Sequence, residues 1–162
     1  MSLPAAQSFR SVAVIMERVK LANRWVQEQW GARAVLCDDA GAGTPHRVLV
    51  QHDDLLQILF PGQRIALRQD EAEGYYMNVT SPQPHVFVLW RMQGDIAQPE
   101  LLTVSYHEGA RWMDSDERVD GVPLPAELLP WISEFVERNY RPEQPKAKRY
   151  ASNKDRGRMG RY

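Results

Sequence analysis

The run from Gly74 to Arg91, GYYMNVTSPQPHVFVLWR, limits the possible fold more than any other stretch of this chain. Its middle, Ser81-Pro82-Gln83-Pro84, cannot continue a helix, because each proline lacks an amide donor and pushes the residue before it toward extended geometry. Tyr75, Tyr76, Val79 and Thr80 before it, and Val86, Phe87, Val88, Leu89 and Trp90 after it, are β-branched or aromatic residues that suit a pleated, half-buried surface. Two strands joined as a hairpin are therefore expected. The second run is apolar on both faces, which places the hairpin near the centre of the protein.

A chain of 162 residues suggests one domain, large enough to bury roughly 70% of the surface it exposes when unfolded. No apolar run approaches the roughly 18 residues of a membrane span, and the first 20 residues lack a basic region followed by a long apolar stretch. A cytoplasmic protein with no membrane partner is expected. The single cysteine, Cys37, cannot form an internal disulfide and agrees with a reducing compartment. The formal net charge of −1 conceals two opposed parts. Residues 142–162 carry seven basic groups (Lys146, Lys148, Arg149, Lys154, Arg156, Arg158 and Arg161) against Glu143 and Asp155, a net of +5. The rest of the chain is acidic.

Val12 to Met16 reads as a first strand continuing toward Arg18 and Leu21. From Asn23 to Cys37, Val26, Trp30, Ala32, Ala34 and Leu36 occupy even positions, which favours a long strand. Glu28 breaks that alternation, by a bend or bulge or by a first helical turn starting at Asn23. Asp38 to Pro45 is a turn cluster. Arg47 to Gln51, Leu55 to Phe60 and Arg64 to Arg68 are short strand-like runs, with Pro61-Gly62 as a tight turn between the last two. Asp70 to Gly74 is a polar connection, Gly94 to Pro99 a loop, and Leu101 to Tyr106 a further strand. Ser105 and Glu108 fit a capping box for a short helix over His107 to Met113. Pro130 near a helix start, with Ile132, Phe135, Val136 and Tyr140 at helical spacing, predicts a helix from about Leu129 to Tyr140 that closes one face of the sheet. The fold class is α+β, mainly β: a twisted antiparallel sheet, barrel or sandwich, packed by a C-terminal helix. Residues 1–9 form a flexible start, 10–141 a single globular domain, and 142–162 a basic tail, disordered when alone.

No arrangement of residues specifies a reaction, and a protein without catalytic, metal-binding or cofactor-binding residues is expected. His46, His52, His85 and His107 share no short metal-binding spacing with one another or with Cys37. Asp38 and Asp39 would raise the thiol pKa of Cys37 and blunt it. Ser105 has a simpler role as a cap. Gly41-Ala42-Gly43-Thr44 lacks the lysine and the following helix of a phosphate loop. Asn78-Val79-Thr80 matches the glycosylation sequon but falls within a presumed buried strand.

Recognition surfaces are the better prospect. Of Trp25, Trp30, Trp90, Trp112 and Trp131, most belong to a core; an exposed pair of Trp25 with Tyr75 or Tyr76 would anchor a partner. Arg18, Asn23 and Arg24 adjoin Trp25, and Lys146, Lys148 and Arg149 begin the basic tail. These nine residues form the candidate partner-binding set, with a protein as the partner. The acidic body and sparse aromatics of the tail argue against nucleic acid.

Three blocks, VAVIMERVKLANRWVQEQW (Val12 to Trp30), GYYMNVTSPQPHVFVLWR (Gly74 to Arg91) and VDGVPLPAELLPWISEFVERNYRPE (Val119 to Glu143), resemble a proteobacterial family of unknown function encoded in molybdenum-dependent formate dehydrogenase gene clusters. The resemblance covers most of residues 10–143, and NRW followed by a tryptophan five positions later is its most specific part. It implies an accessory role in assembling, maturing or regulating such a dehydrogenase, with one of its subunits as partner. A small-molecule-binding barrel and nucleic-acid binding through the tail are the alternatives.

Overall fold

The computed structural model describes residues 9–22, 25 and 27–142 of the chain. Among the described residues, seven strands form two antiparallel sheets. The first holds β1 (Phe9–Lys20), β2 (Glu28–Cys37), β3 (Arg47–His52) and β4 (Leu55–Ala66) in the order β2-β1-β4-β3. The second holds β5 (His85–Gln93), β6 (Ile96–Thr103) and β7 (Arg118–Pro123) in the order β6-β5-β7. Three α-helices are formed among the described residues: α1 (Ala72–Val79), α2 (Tyr106–Asp114) and α3 (Leu129–Asn139). The sheets do not close into a barrel. The expected N-terminal segment and basic tail lie outside the described residues, apart from Phe9 and Pro142.

The first sheet is built on β1 and β4, twelve residues each, paired from Phe9 opposite Ala66 to Val19 opposite Leu55. Val12, Val14 and Met16 on β1, with Leu56, Ile58 and Phe60 on β4, turn inward at the period of two that a strand imposes. They meet Val86, Val88 and Trp90 of β5 and Ile132 and Val136 of α3 in one continuous core. The C-terminal helix thus covers the face that its apolar spacing predicted. Ser105 caps α2 as expected, its hydroxyl accepting from the Glu108 amide at 3.1 Å. The Glu108 carboxylate does not return to the Ser105 amide; that amide donates to Thr103 Oγ1 at 3.1 Å.

Four sequence expectations are corrected. Gly74 to Thr80 is not the first strand of a hairpin, because Ala72–Val79 is helical. Ala72, Tyr75 and Asn78 are buried at a spacing of three, so packing overrides the strand preference of the two tyrosines. Asn78 is buried on this helix, where its side chain donates to the carbonyls of His85 and Val104 and accepts from the His85 amide. Pro61-Gly62 is not a turn. Val12 pairs with Gln63 and Val14 with Phe60, so Ala13 faces two residues, and Pro61-Gly62 is a bulge inside the unbroken strand β4. Gly62 has a φ of +73°, and a Cβ there would lie 2.6 Å from the Gly41 carbonyl oxygen, so glycine is required twice over. The strand after Trp25 starts only at Glu28. The segment from Ile96 to Pro99, expected as loop, opens β6.

Tyr75 lies wholly inside, its ring edge-on to Phe135 at 5.7 Å and its hydroxyl accepting from the Arg68 amide at 2.9 Å. Burial, against the opposing effect of the Arg68 hydrogen bond and charge, pushes its phenol up to about 12. Gly74, one residue earlier, packs directly on Ser105: a Cβ would fall 2.0 Å from the buried Ser105 Oγ. Gly74→Ala is expected to cost roughly 2–3 kcal/mol in urea unfolding, in the range of core overpacking. Gly41→Ala, where an added Cβ meets nothing within 4 Å, should leave the midpoint unchanged.

Candidate partner-binding surface

The end of the first sheet gathers two connections. The Lys20 amide donates to the Asp54 carbonyl at 3.1 Å, so the β1–β2 link lies against the β3–β4 turn, and Leu21 N–H to Gln27 O at 3.0 Å closes the link on itself. Trp25 stands on this link with 83% of its surface exposed. Arg18 faces Trp30 across the β1–β2 ladder and follows Val14 and Met16 on the inward face. Its stem therefore extends the core, while its guanidinium emerges beside Glu28 at 3.6 Å and lies 6.0 Å over the Trp30 ring. Arg18 Nε is buried without a hydrogen-bond partner among the described residues.

Arg18 and Trp25 are thus brought to one end of the molecule. Tyr75 is not part of any surface, since it is fully buried as described above. Tyr76, its neighbour on α1, is exposed and stacks on Tyr140 at 4.7 Å with the rings 23° apart. Asn23, Arg24, Lys146, Lys148 and Arg149 lie outside the described residues.

Two polar clusters join residues far apart in the sequence. At the seam between the sheets, Asp120 on β7 accepts from the Trp90 indole at 2.8 Å and from the Ala32 amide of β2 at 2.9 Å. Gly31 permits this approach, because a Cβ there would lie 3.2 Å from the same oxygen. The signal available was Trp90 itself, since a buried indole N–H requires an acceptor.

The second cluster joins the starts of α1 and α2. Glu71, only 6% exposed, accepts from the buried Ser105 hydroxyl and from the Arg111 guanidinium, with Arg68 3.8 Å away. Arg68 in turn reaches Glu108 at 3.0 Å, and Glu108 accepts from Thr103 Oγ1 at 2.6 Å. Burial alone would raise the Glu71 carboxyl; Ser105, Arg111 and Arg68 outweigh it and hold the pKa below the ordinary value. Asp70, Glu71 and Glu73 in sequence were the available sign of a helix start here.

The remaining reactive side chains are dispersed. His46 packs 5.1 Å from Phe60, His85 lies 6.2 Å from Phe87, and His107 is 3.7 Å from Glu73. Partial burial, then the charges of Glu127 and Asp39, push the Cys37 thiol up. An open groove of about 380 Å³ runs over the outside of the fold, lined by Gln63, Arg64 and Arg68 on one side and Glu100 to Leu102 on the other. No helix among the described residues is long and apolar enough to cross a membrane.

These features define a two-sheet antiparallel domain with helical covers and an aromatic, charged end. Residues 11–150 match the model of a family described as a protein of unknown function, DUF3305, and the chain belongs to that family. The match includes all three sequence blocks and also the glycine-rich loop. No curated protein and no solved structure matches the chain.

The Glu71 cluster sets an expected acid response. A carboxyl with a depressed folded pKa stabilises the fold above its ordinary value of 4.5, and that contribution disappears as pH falls through the lower folded pKa. Glu71→Gln should lose about 1–3 kcal/mol at neutral pH and show a flatter decline of stability below about pH 4.5 than the unaltered protein, followed by urea unfolding across that range.

Proposed function

We propose that this chain is a non-catalytic accessory domain that binds a protein, and that the partner is a subunit of a molybdenum-dependent formate dehydrogenase during cofactor loading. The exposure of Trp25 is the observation that carries the reading. A tryptophan held in water at 83% exposure forgoes burial worth roughly 1.5–3 kcal/mol for a large side chain, a cost that contact with a partner recovers. Arg18 and Trp30, paired across the strands that this link joins, supply the residue types that dominate binding energy at interfaces. The buried Glu71 carboxylate and the half-buried Glu108 are engaged by arginines and hydroxyls, which supports a binding role over a reactive one. The dehydrogenase as partner rests on the sequence resemblance in the three blocks, and the positive tail adds long-range attraction to an acidic surface.

The alternative of a small molecule enclosed by a barrel has less support, since no barrel closes and the groove lies open on the outside. A pulldown from cells grown with formate tests the leading reading. The intact chain should recover a dehydrogenase subunit, Trp25→Ala should reduce recovery at least about tenfold, and truncation after Arg141 should reduce it at high salt less than at low salt. Recovery of no dehydrogenase subunit by the intact protein would overturn it.

A further inference from the structure

The four sheet edges are treated differently. On β2, the Ala32 amide is taken by Asp120 from the other sheet. On β6, Pro99 removes a donor and Glu100 places a charge beside it. β7 is short, ends in Pro123 and lies at the seam where Asp120 reaches β2. β3 has no such protection among the described residues: it is the terminal strand of its sheet, contains neither proline nor lysine, and pairs with β4 on one side. Its centre is apolar, and Val48 and Leu49 are 49% and 42% exposed. A bulge leaves Leu49 without an opposite residue on β4, yet substitutes no charge there. Bulges ordinarily blunt an edge; this one presents a leucine.

The charges along this edge make it complementary to itself. Arg47 stands at its beginning and Asp53-Asp54 immediately follow its last residue, His52. All three are exposed, and none has an ion-pair partner among the described residues. Antiparallel pairing of two such strands about a twofold axis near Val50 sets each Arg47 against Asp53 or Asp54 of the other copy, twice by symmetry. Parallel pairing would set like charges together.

We propose that β3 is a self-association edge, on which a second copy of this chain adds its own β3 antiparallel, joining two four-stranded sheets into one of eight strands. In this register the Leu49 side chains of the two copies are diagonal neighbours on one face and each Val48 lies diagonal to Val50 of the other copy on the opposite face, while the Arg47 and Asp53-Asp54 pairs fix direction and register. Two six-residue strands bury less than the roughly 1,200 Å² of a tight complex, so the dimer dissociates on the order of 10 µM.

Sedimentation velocity of the full chain over a concentration series reads this directly. The unaltered protein should pass from monomer to dimer on the order of 10 µM, and raising salt from about 0.05 to 0.5 M should weaken the dimer severalfold. Arg47→Asp should weaken it about tenfold, and Leu49→Lys should abolish it. Combining Arg47→Asp with Asp53→Lys and Asp54→Lys should restore it, because the reversed ends again face opposite charges. All four positions are exposed, so circular dichroism should report unchanged folding. A protein that stays monomeric throughout the series, or a dimer indifferent to Leu49→Lys and to charge reversal, would overturn the proposal.

Discussion

The Asp120 carboxylate bridges two sheets that share no backbone ladder. Its oxygen takes the indole proton of Trp90 from its own sheet and the Ala32 amide proton from the other, at ordinary hydrogen-bond distances. Without that acceptor a buried indole N–H and a strand amide would both lose their partner, at a penalty of about 1–3 kcal/mol each. With it, the inward rows of β1 and β4 lie against those of β5, and the core between them fills without closing a barrel. Two helices sit on this stack: α2 over the outer face of β5, where Gly109 lets the Phe87 ring approach, and α3 over the core that both sheets share.

A second constraint acts at the opposite level of scale. The Glu71 carboxylate is buried, and a buried charge persists only when paired and hydrogen-bonded. Ser105 at the cap of α2 and Arg111 within it meet the carboxylate, and Arg68 supports it from its own segment, so one anion ties the chain before α1 to α2. Ser105 thereby serves two masters, capping α2 through the Glu108 amide while donating its proton to Glu71. The absence of a side chain at Gly74 makes room for both contacts.

Much of this architecture was legible. The strand-type runs Val12 to Met16 and Val86 to Trp90, the second apolar on both faces, the Ser105 cap, and the Pro130 start with its apolar stripe each combine a local signal with a burial pattern that agree. The errors arise where those two disagree. Tyr75-Tyr76 has strand propensity but is used on a helix, because one ring must point into the core and the other outward. Pro61-Gly62 has turn chemistry but serves as a bulge, because the chain on both sides finds the same partner strand. The candidate surface followed the same division. Trp25 and Arg18 are conspicuous in the sequence by themselves, whereas Asp120 and Glu71 acquire meaning from partners such as Ala32 and Ser105, 88 and 34 positions away.

Asn78 offers a last consequence. Its side-chain amide is held at both ends, two protons on carbonyl oxygens and its oxygen on the His85 amide. Spontaneous loss of ammonia from asparagine needs the side-chain carbon to swing onto the next backbone nitrogen, a rotation this clamp forbids while the domain is closed. Isoaspartate at this position would accordingly accumulate only in molecules that had come apart, making it a chemical record of past opening.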